Sequence, residues 1–467
     1  MRAAVLRRRV PARPAAVAAI LAIAVASGAA QKQAPPAPGP AKDFVIPSPK
    51  QFTLSNGLPV TMVPFGLVPK VTIRLVVEAA NVHEQKEQVW LADLTGNMMR
   101  EGTTALSADA IAREFAAMGG QLAVNVGPDA ANVVTDVLAD HGVKAVQLIA
   151  DVAQRPRLPE SELTRVKSNM VRDLAIQRST PQSLAAEKFA ELVYGDHPYG
   201  RLFPSEALLS GYTLDQVRAF HRDHFTAGRA RLYIAGVFDA AAMEAAVRKA
   251  FDGWAKGAAG TAPPKPAPRT GGFALIDRAG APQSTVMLGL RVPDPSHADW
   301  VALQVTDSLL GGSFASRITA NIREQKGYTY SPGSSIDTHP GVARWYETAD
   351  VTTNVTGPSL KEIFFEIDRL RKEAPPVGEL QGIKNNIAGV FVVQNGSRAG
   401  VIGQLVYVDR HGLGDQYLTS YVKRVMAVTP EDVRRVANEY LTPDKMTLVV
   451  VGDTKTVQEQ LTPWSKR

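Results

Sequence analysis

The chain reads twice. Thr213-Leu-Asp-Gln-Val-Arg218 leads to Arg231-Leu-Tyr-Ile-Ala-Gly236, and Thr429-Pro-Glu-Asp-Val-Arg434 leads to Thr447-Leu-Val-Val-Val-Gly452; the interval from threonine to closing glycine is 23 residues in both. In each copy a Thr at an N-cap position opens an amphipathic helix, and an apolar strand then ends on Gly. The front ends repeat as well. Ile73, Leu75 and Val77 alternate as a half-buried strand, and Val286, Leu288 and Leu290 repeat the alternation 213 residues later. Two matches in the same order restrict the chain to a duplicated fold of strands and helices.

A length of 467 residues suits two domains of about 200 residues each, and 45% hydrophobic with 21% charged residues is the composition of a folded chain. The boundaries follow from composition. Residues 1–30 combine five arginines and no acid with an apolar run from Ala15 to Ala26 and a small-residue end, which predicts a secretory signal cleaved near Ala29 or Ala30. The run is short for a bilayer span, and Arg7-Arg8-Arg9 lacks the flanking residues of a twin-arginine signal. A Pro/Ala-rich tether (31–44) precedes the first domain (45–257). A second Pro/Gly/Ala-rich stretch (258–272) separates it from the second (273–467).

The formal charge of +7 falls to +2 without the first 30 residues, so no basic face calls for nucleic acid. The absence of cysteine excludes disulfides, thiol catalysis, thiolate metal ligands and a lipid anchor carried on cysteine.

The stretch from Leu309 to Ser331 carries the main functional candidates. A turn at Gly311-Gly312-Ser313 leaves backbone amides approachable, Phe314, Ile318 and Ile322 follow at helical spacing, and Arg323 and Tyr330 come after. A permanent guanidinium charge and a phenol on a rigid ring suit the carbonyl oxygens of an extended polypeptide. An ordinary amphipathic helix ending at Gly327 is the alternative.

This stretch resembles the signature of the C-terminal half of pitrilysin/insulinase-type zinc peptidases, Gly-Gly-x-x-x-Ser-Arg-Ile through Arg-Glu-x-Lys-Gly-x-x-Tyr, read here from Gly311 to Tyr330. Phe52-Thr-Leu-Ser-Asn-Gly-Leu-Pro-Val60, Tyr194-Gly-Asp-His-Pro-Tyr-Gly200 and Phe225 extend the resemblance over roughly residues 45–460. It implies an α+β fold (an α/β sandwich): two duplicated domains, each a mainly antiparallel sheet packed with helices, facing across a cavity. It also implies that Arg323 and Tyr330 grip the substrate backbone, with Gly311, Gly312 and Ser313 beside it.

Active relatives carry H-x-x-E-H on a helix of the first domain, two His ligands to zinc and a Glu general base, with a further Glu ligand on a later helix. Trp90 to Thr103 keeps the flanking pattern, but Asp93 and Asn97 stand at the two His positions, Gly96 at the base and Asp173 at the later Glu. Hydrolysis by this chain alone is not expected, and no metal is expected in it.

No other set replaces the lost one. His221 and His224 stand three apart on one helix, His197 precedes Pro198 in a turn, and His83-Glu84 lacks a second His. The eight histidines read as structural or exposed.

In the two-subunit branch that the chain resembles, one partner contributes H-x-x-E-H and the other the Arg/Tyr pair. The resemblance therefore implies a zinc-free, substrate-binding subunit of an exported, periplasmic heterodimeric metallopeptidase. Its partner would be a homologous exported subunit holding the zinc, and its ligands would be unfolded or extended peptides. The alternative is a non-enzymatic peptide-binding or scaffold protein of the same fold. A third reading, an autonomous peptidase with a rebuilt metal site, would need tightly held zinc.

Overall fold

The computed structural model describes residues 47–260, 263–414 and 416–466. The signal segment and the tether fall outside them. The first sheet contains β1 (Lys50–Thr53), β2 (Pro59–Pro64), β3 (Lys70–Val77), β4 (Ala123–Val126), β5 (Ala131–Leu138) and β6 (Ala230–Gly236), in the order β1-β2-β6-β3-β5-β4. The second contains β7 (Gly272–Asp277), β8 (Gln283–Val292), β9 (Gly333–His339), β10 (Val342–Thr352) and β11 (Thr447–Gly452), in the order β7-β11-β8-β10-β9. Strands β2 and β6, and likewise β7 and β11, pair in parallel; the other pairs are antiparallel.

The duplication holds at the level of register. Ile73 lies opposite Ile234 and Leu75 opposite Leu232 in the first sheet; Val286 lies opposite Val450 and Leu288 opposite Leu448 in the second. These are the positions that the sequence repeat equates.

Five helices of the first half, α1 (Leu91–Met99), α2 (Gly142–Gln154), α3 (Glu160–Ser179), α4 (Pro181–Tyr194) and α5 (Leu214–His224), recur in order in the second as α6 (Trp300–Leu310), α7 (Thr356–Lys372), α8 (Val377–Gln394), α9 (Arg398–His411) and α11 (Pro430–Tyr440), with α10 (Gln416–Ala427) standing where the first half has the short helix Glu206–Gly211. The two repeat threonines cap α5 and α11. Gln216 N donates to Thr213 Oγ1 at 3.3 Å and Asp432 N to Thr429 Oγ1 at 3.1 Å, and each third helical residue returns an acceptor to its cap amide.

The two halves exchange a helix. α4 packs on β8 and β11 of the second sheet, and α9 packs on β3 and β6 of the first. The central strands are consequently buried on both faces, as their near-continuous apolar sequence requires. In β6, Leu232 and Ile234 face their own half's core, while Tyr233 and Ala235 meet Val401, Ile402 and Val406 of α9. In β11, Leu448 and Val450 face inward, while Val449 and Val451 meet Phe189 and Val193 of α4. Each fully buried aliphatic is worth about 1.5–3 kcal/mol, so the exchange holds the halves together strongly.

Polar bonds reinforce it. Arg398 NH2 lies 2.9 Å from Asp136 Oδ1. The buried Asp129 accepts from Tyr199 OH at 2.8 Å and lies 3.0 Å from His339 Nδ1. Burial alone would raise the Asp129 carboxyl, but the His339 and Tyr199 hydrogen bonds and the charge of Arg410 hold it below the usual range.

Among the described residues no helix or strand falls between Phe251 and Gly272. That connection is tied down through Pro264 O to His197 Nε2 at 2.7 Å and through Pro266 O to Arg291 NH1 at 2.9 Å. A cavity of about 370 Å³ lies between the halves, lined by Glu78, His83 and Arg229 from the first and by Pro340, Asp409 and Arg410 from the second.

Candidate functional site

Arg323 sits in a turn of π-helix, Thr319–Gln325, whose widened spiral ends at Gly327 in the left-handed region (φ 65). Ile318 and Ile322 point into the second core. Phe314 does not share their face: it belongs to the preceding turn and is 73% exposed. The expectation of one apolar stripe through Phe314 is thus corrected, because the helix begins only after it.

Phe314 has another contact. Its ring centroid lies 4.5 Å from the Arg323 guanidinium carbon, and that of Tyr330 lies 4.9 Å from the same atom. Two exposed rings therefore hold one cation, each contact worth about 0.5–1 kcal/mol at an exposed site. Tyr330, 78% exposed, is anchored by its neighbour: Thr329 Oγ1 donates to Asp350 O at 2.7 Å. Arg323 Nε also lies 3.3 Å from Glu324 Oε1.

The glycines before this turn are required by its interior. A Cβ on Gly311 would stand 2.5 Å from Glu347 Oε2 and 2.7 Å from Ser334 Oγ; one on Gly312 would stand 2.5 Å from Asp307 Oδ2. Ser313 Oγ donates to Ser308 O at 2.8 Å. Packing against Asp307, Ser334 and Glu347 is thus by itself a sufficient reason for glycine at 311 and 312.

Those buried acids were not singled out in the sequence. Asp307 accepts from Trp345 Nε1 at 2.8 Å and from Ser334 Oγ at 2.5 Å, and burial pushes its carboxyl up to about 6. Glu347 is 0% exposed, and burial followed by the charge of Asp307 drives its carboxyl well above the usual range. The signal was there: Trp345, Glu347 and Ala349 alternate as one inward face of a strand.

On α1 the degenerate set does not assemble. Asp93 accepts from Asn81 Nδ2 at 2.6 Å, and burial raises its carboxyl. Gly96 is buried, and a Cβ there would stand 2.8 Å from Val126 Cγ2, so a strand side chain fills the space that a general base would need. Asn97 is half-buried and Asp173 exposed. Among the described residues no three His, Cys, Asp or Glu side chains group as metal ligands. The donor set does not fit zinc.

What orders this end of α1 is Glu84. Its carboxylate oxygens accept from Ala92 N at 2.7 Å and Trp90 N at 3.1 Å, which holds Trp90 in the left-handed region at φ 68. Burial pushes Glu84 up to about 8, and the neighbouring Asp93 adds to the rise. The histidines are structural here. His221 Nε2 lies 2.9 Å from Ala153 O, His83 Nδ1 accepts from Ala80 N at 3.2 Å, and His197 Nδ1 accepts from Tyr199 N at 3.2 Å.

Residues 67–203 match the family model described as Insulinase (Peptidase family M16), and residues 211–387 match Peptidase M16 inactive domain. The chain belongs to peptidase family M16. An uncharacterized zinc protease of Rickettsia felis is 27% identical over 288 residues, 61% of this M16 chain and 69% of that protein. YmxG of Bacillus subtilis, also an uncharacterized zinc protease, is 26% identical over 284 residues, 60% and 68% of the two chains. Among solved structures, a peptidase M16 inactive domain from Pseudomonas fluorescens superposes with TM-score 0.81 at 25% identity, covering 87% of this chain and 98% of that one. A protease from Helicobacter pylori, at 22% identity and TM-score 0.80 over 87% and 100% of the chains, shares the fold. The match to the model described as inactive falls on residues 211–387 of this M16 chain.

Proposed function

We propose that this M16 chain is the zinc-free, substrate-binding subunit of an exported, periplasmic heterodimeric peptidase. Its Arg323 and Tyr330 hold substrate carbonyl oxygens beside the zinc of a homologous partner that carries H-x-x-E-H. One observation carries the reading: a half-buried Arg323 stacked on an exposed Tyr330 stands in a chain whose α1 has Gly96 at the base position, with Val126 of β4 filling the space beside it.

A guanidinium already held against two rings loses little freedom on meeting a carbonyl oxygen. It would also stabilise charge developing on that oxygen during hydrolysis. Strand β9 begins three residues after Tyr330 and is an edge of its sheet. An extended peptide pairing with it would run past the clamp with sequence-tolerant affinity. Gly311, Gly312 and Ser313 shape the turn beside that path.

The test is reconstitution. The chain alone, the nearest exported H-x-x-E-H homologue alone, and the mixture are assayed on an unstructured peptide and for co-elution. Cleavage by the mixture that greatly exceeds either component, and is abolished by chelation, is expected. Peptide binding with no cleavage by any mixture would favour the scaffold reading. That reading has one observation in its favour: Arg323 already has partners within the chain in Phe314, Tyr330 and Glu324.

A further inference from the structure

A second cavity, of about 490 Å³, lies wholly in the second half, bounded by α6, α8, α9, α10 and the edge strand β9. Helices α6 and α8 are the repeat counterparts of α1 and α3, so it occupies in the second half the place that the degenerate metal position occupies in the first. Its chemistry is unlike a metal site. The walls are aromatic, with Trp300, Phe391, Tyr407, Tyr417 and Tyr421, and carboxamides contribute from Gln304, Asn386, Gln394 and Gln404. Its lining includes no Asp, Glu, Lys, Arg or His.

Its buried polar groups turn toward one another. Trp300 is 2% exposed, and its indole N–H faces the hydroxyls of Tyr407 and Tyr417. These three groups serve one another in a network that carries no charge, while Gln304 Oε1 is buried without a hydrogen-bond partner. Uncharged aromatic walls of this kind suit an apolar ring, which brings no charge to desolvate. The space is within the range of ligand pockets and far larger than a single water requires.

Its position supplies the occupant. Ile336 and Thr338, two residues apart and thus on one face of β9, line it together with Ser308 and Gly312. A peptide lying along the free edge of β9 would set alternate side chains toward this cavity while its backbone passes Tyr330. We infer that the cavity between α6, α8 and α9 is a specificity pocket that takes a neutral aromatic side chain of a bound extended peptide. The inference rests on the peptide-binding reading and adds to it the residue class selected. A cationic side chain is disfavoured, because no carboxylate lines the walls to offset its desolvation.

Gly403 provides a clean test. It lies on α9, it lines the cavity, and a Cβ there would meet nothing within 4 Å. Gly403→Leu should therefore fill the space without backbone strain, and Gln304→Leu on α6 is the second block if the first variant folds poorly. Labelled alanine-based peptides carrying one Phe, one Lys or no guest are titrated by fluorescence anisotropy against the purified chain and each variant, with melting temperature as the control for folding. The Phe peptide should bind roughly tenfold or more tightly than the other two, and the block should erase that advantage while leaving the all-Ala peptide unchanged. Equal binding of the three peptides, a preference for Lys, or a Phe preference that survives both blocks would overturn the pocket assignment and leave the peptide reading standing. Failure of all three to bind would overturn both.

Discussion

The guanidinium carbon of Arg323 lies 4.9 Å from the ring centroid of Tyr330 and 4.5 Å from that of Phe314. The seven-residue spacing of Arg323 and Tyr330 is therefore a stacking geometry, made by a π-turn that carries the chain from one to the other. Phe314 completes it.

Removing that ring should weaken the clamp and little else. Phe314→Ala is expected to lower peptide affinity about two- to fivefold, the loss of one exposed cation–π contact, with no change in melting temperature because the ring is 73% exposed. Arg323→Lys should fall further, since a compact ammonium lacks both the planar stacking and the forked donors. Fluorescence anisotropy with a labelled unstructured peptide measures both.

Restoring the missing base should damage the protein instead of reviving it. Gly96→Glu drives a side chain into Val126, with even the Cβ 2.8 Å from Val126 Cγ2. Overpacking of this kind costs about 1–3 kcal/mol, and more with a buried charge. Thermal denaturation should show a lowered melting temperature, and zinc addition should not recover it.

Glu84 predicts a pH dependence. Burial raises its carboxyl to about 8 from an ordinary value near 4.5, so the folded state holds a proton that the unfolded chain releases at lower pH. Stability from this group is complete below the unfolded pKa, declines as pH rises above it, and levels off once pH passes about 8. Glu84→Gln keeps an acceptor for α1 and cannot ionise. Relative to wild type, the variant should gain melting temperature at pH 8.5 compared with pH 5, in a pair of denaturation series run at those two pH values as roughly bracketing points. A pH-independent difference would contradict this assignment.

The sequence made the duplication legible because capped helices and alternating strands repeat at nearly constant spacing. The register itself, Ile73 against Ile234 and Val286 against Val450, was not legible, because alternation within a strand does not name its partner. The exchange of α4 and α9 was not legible, since an amphipathic face does not name the sheet it covers; only the two-sided burial of β6 and β11 hinted at it. In the site, Arg323, Tyr330 and the altered α1 positions were found by motif, while Phe314 was misassigned to a helical stripe. Glu84, Asp307 and Glu347 went unassigned because their roles depend on burial. For Gly311 and Gly312, only the packing of Glu347, Ser334 and Asp307 reveals why a side chain is excluded.

The central claim is that Arg323 acts on a substrate held at another subunit's zinc, and kcat/KM of the reconstituted pair with Arg323→Ala tests it most directly. A loss corresponding to about 2–4 kcal/mol, the worth of one oxyanion donor, is predicted, with co-elution of the two chains and melting temperature preserved. Unchanged kcat/KM in an intact pair would contradict it.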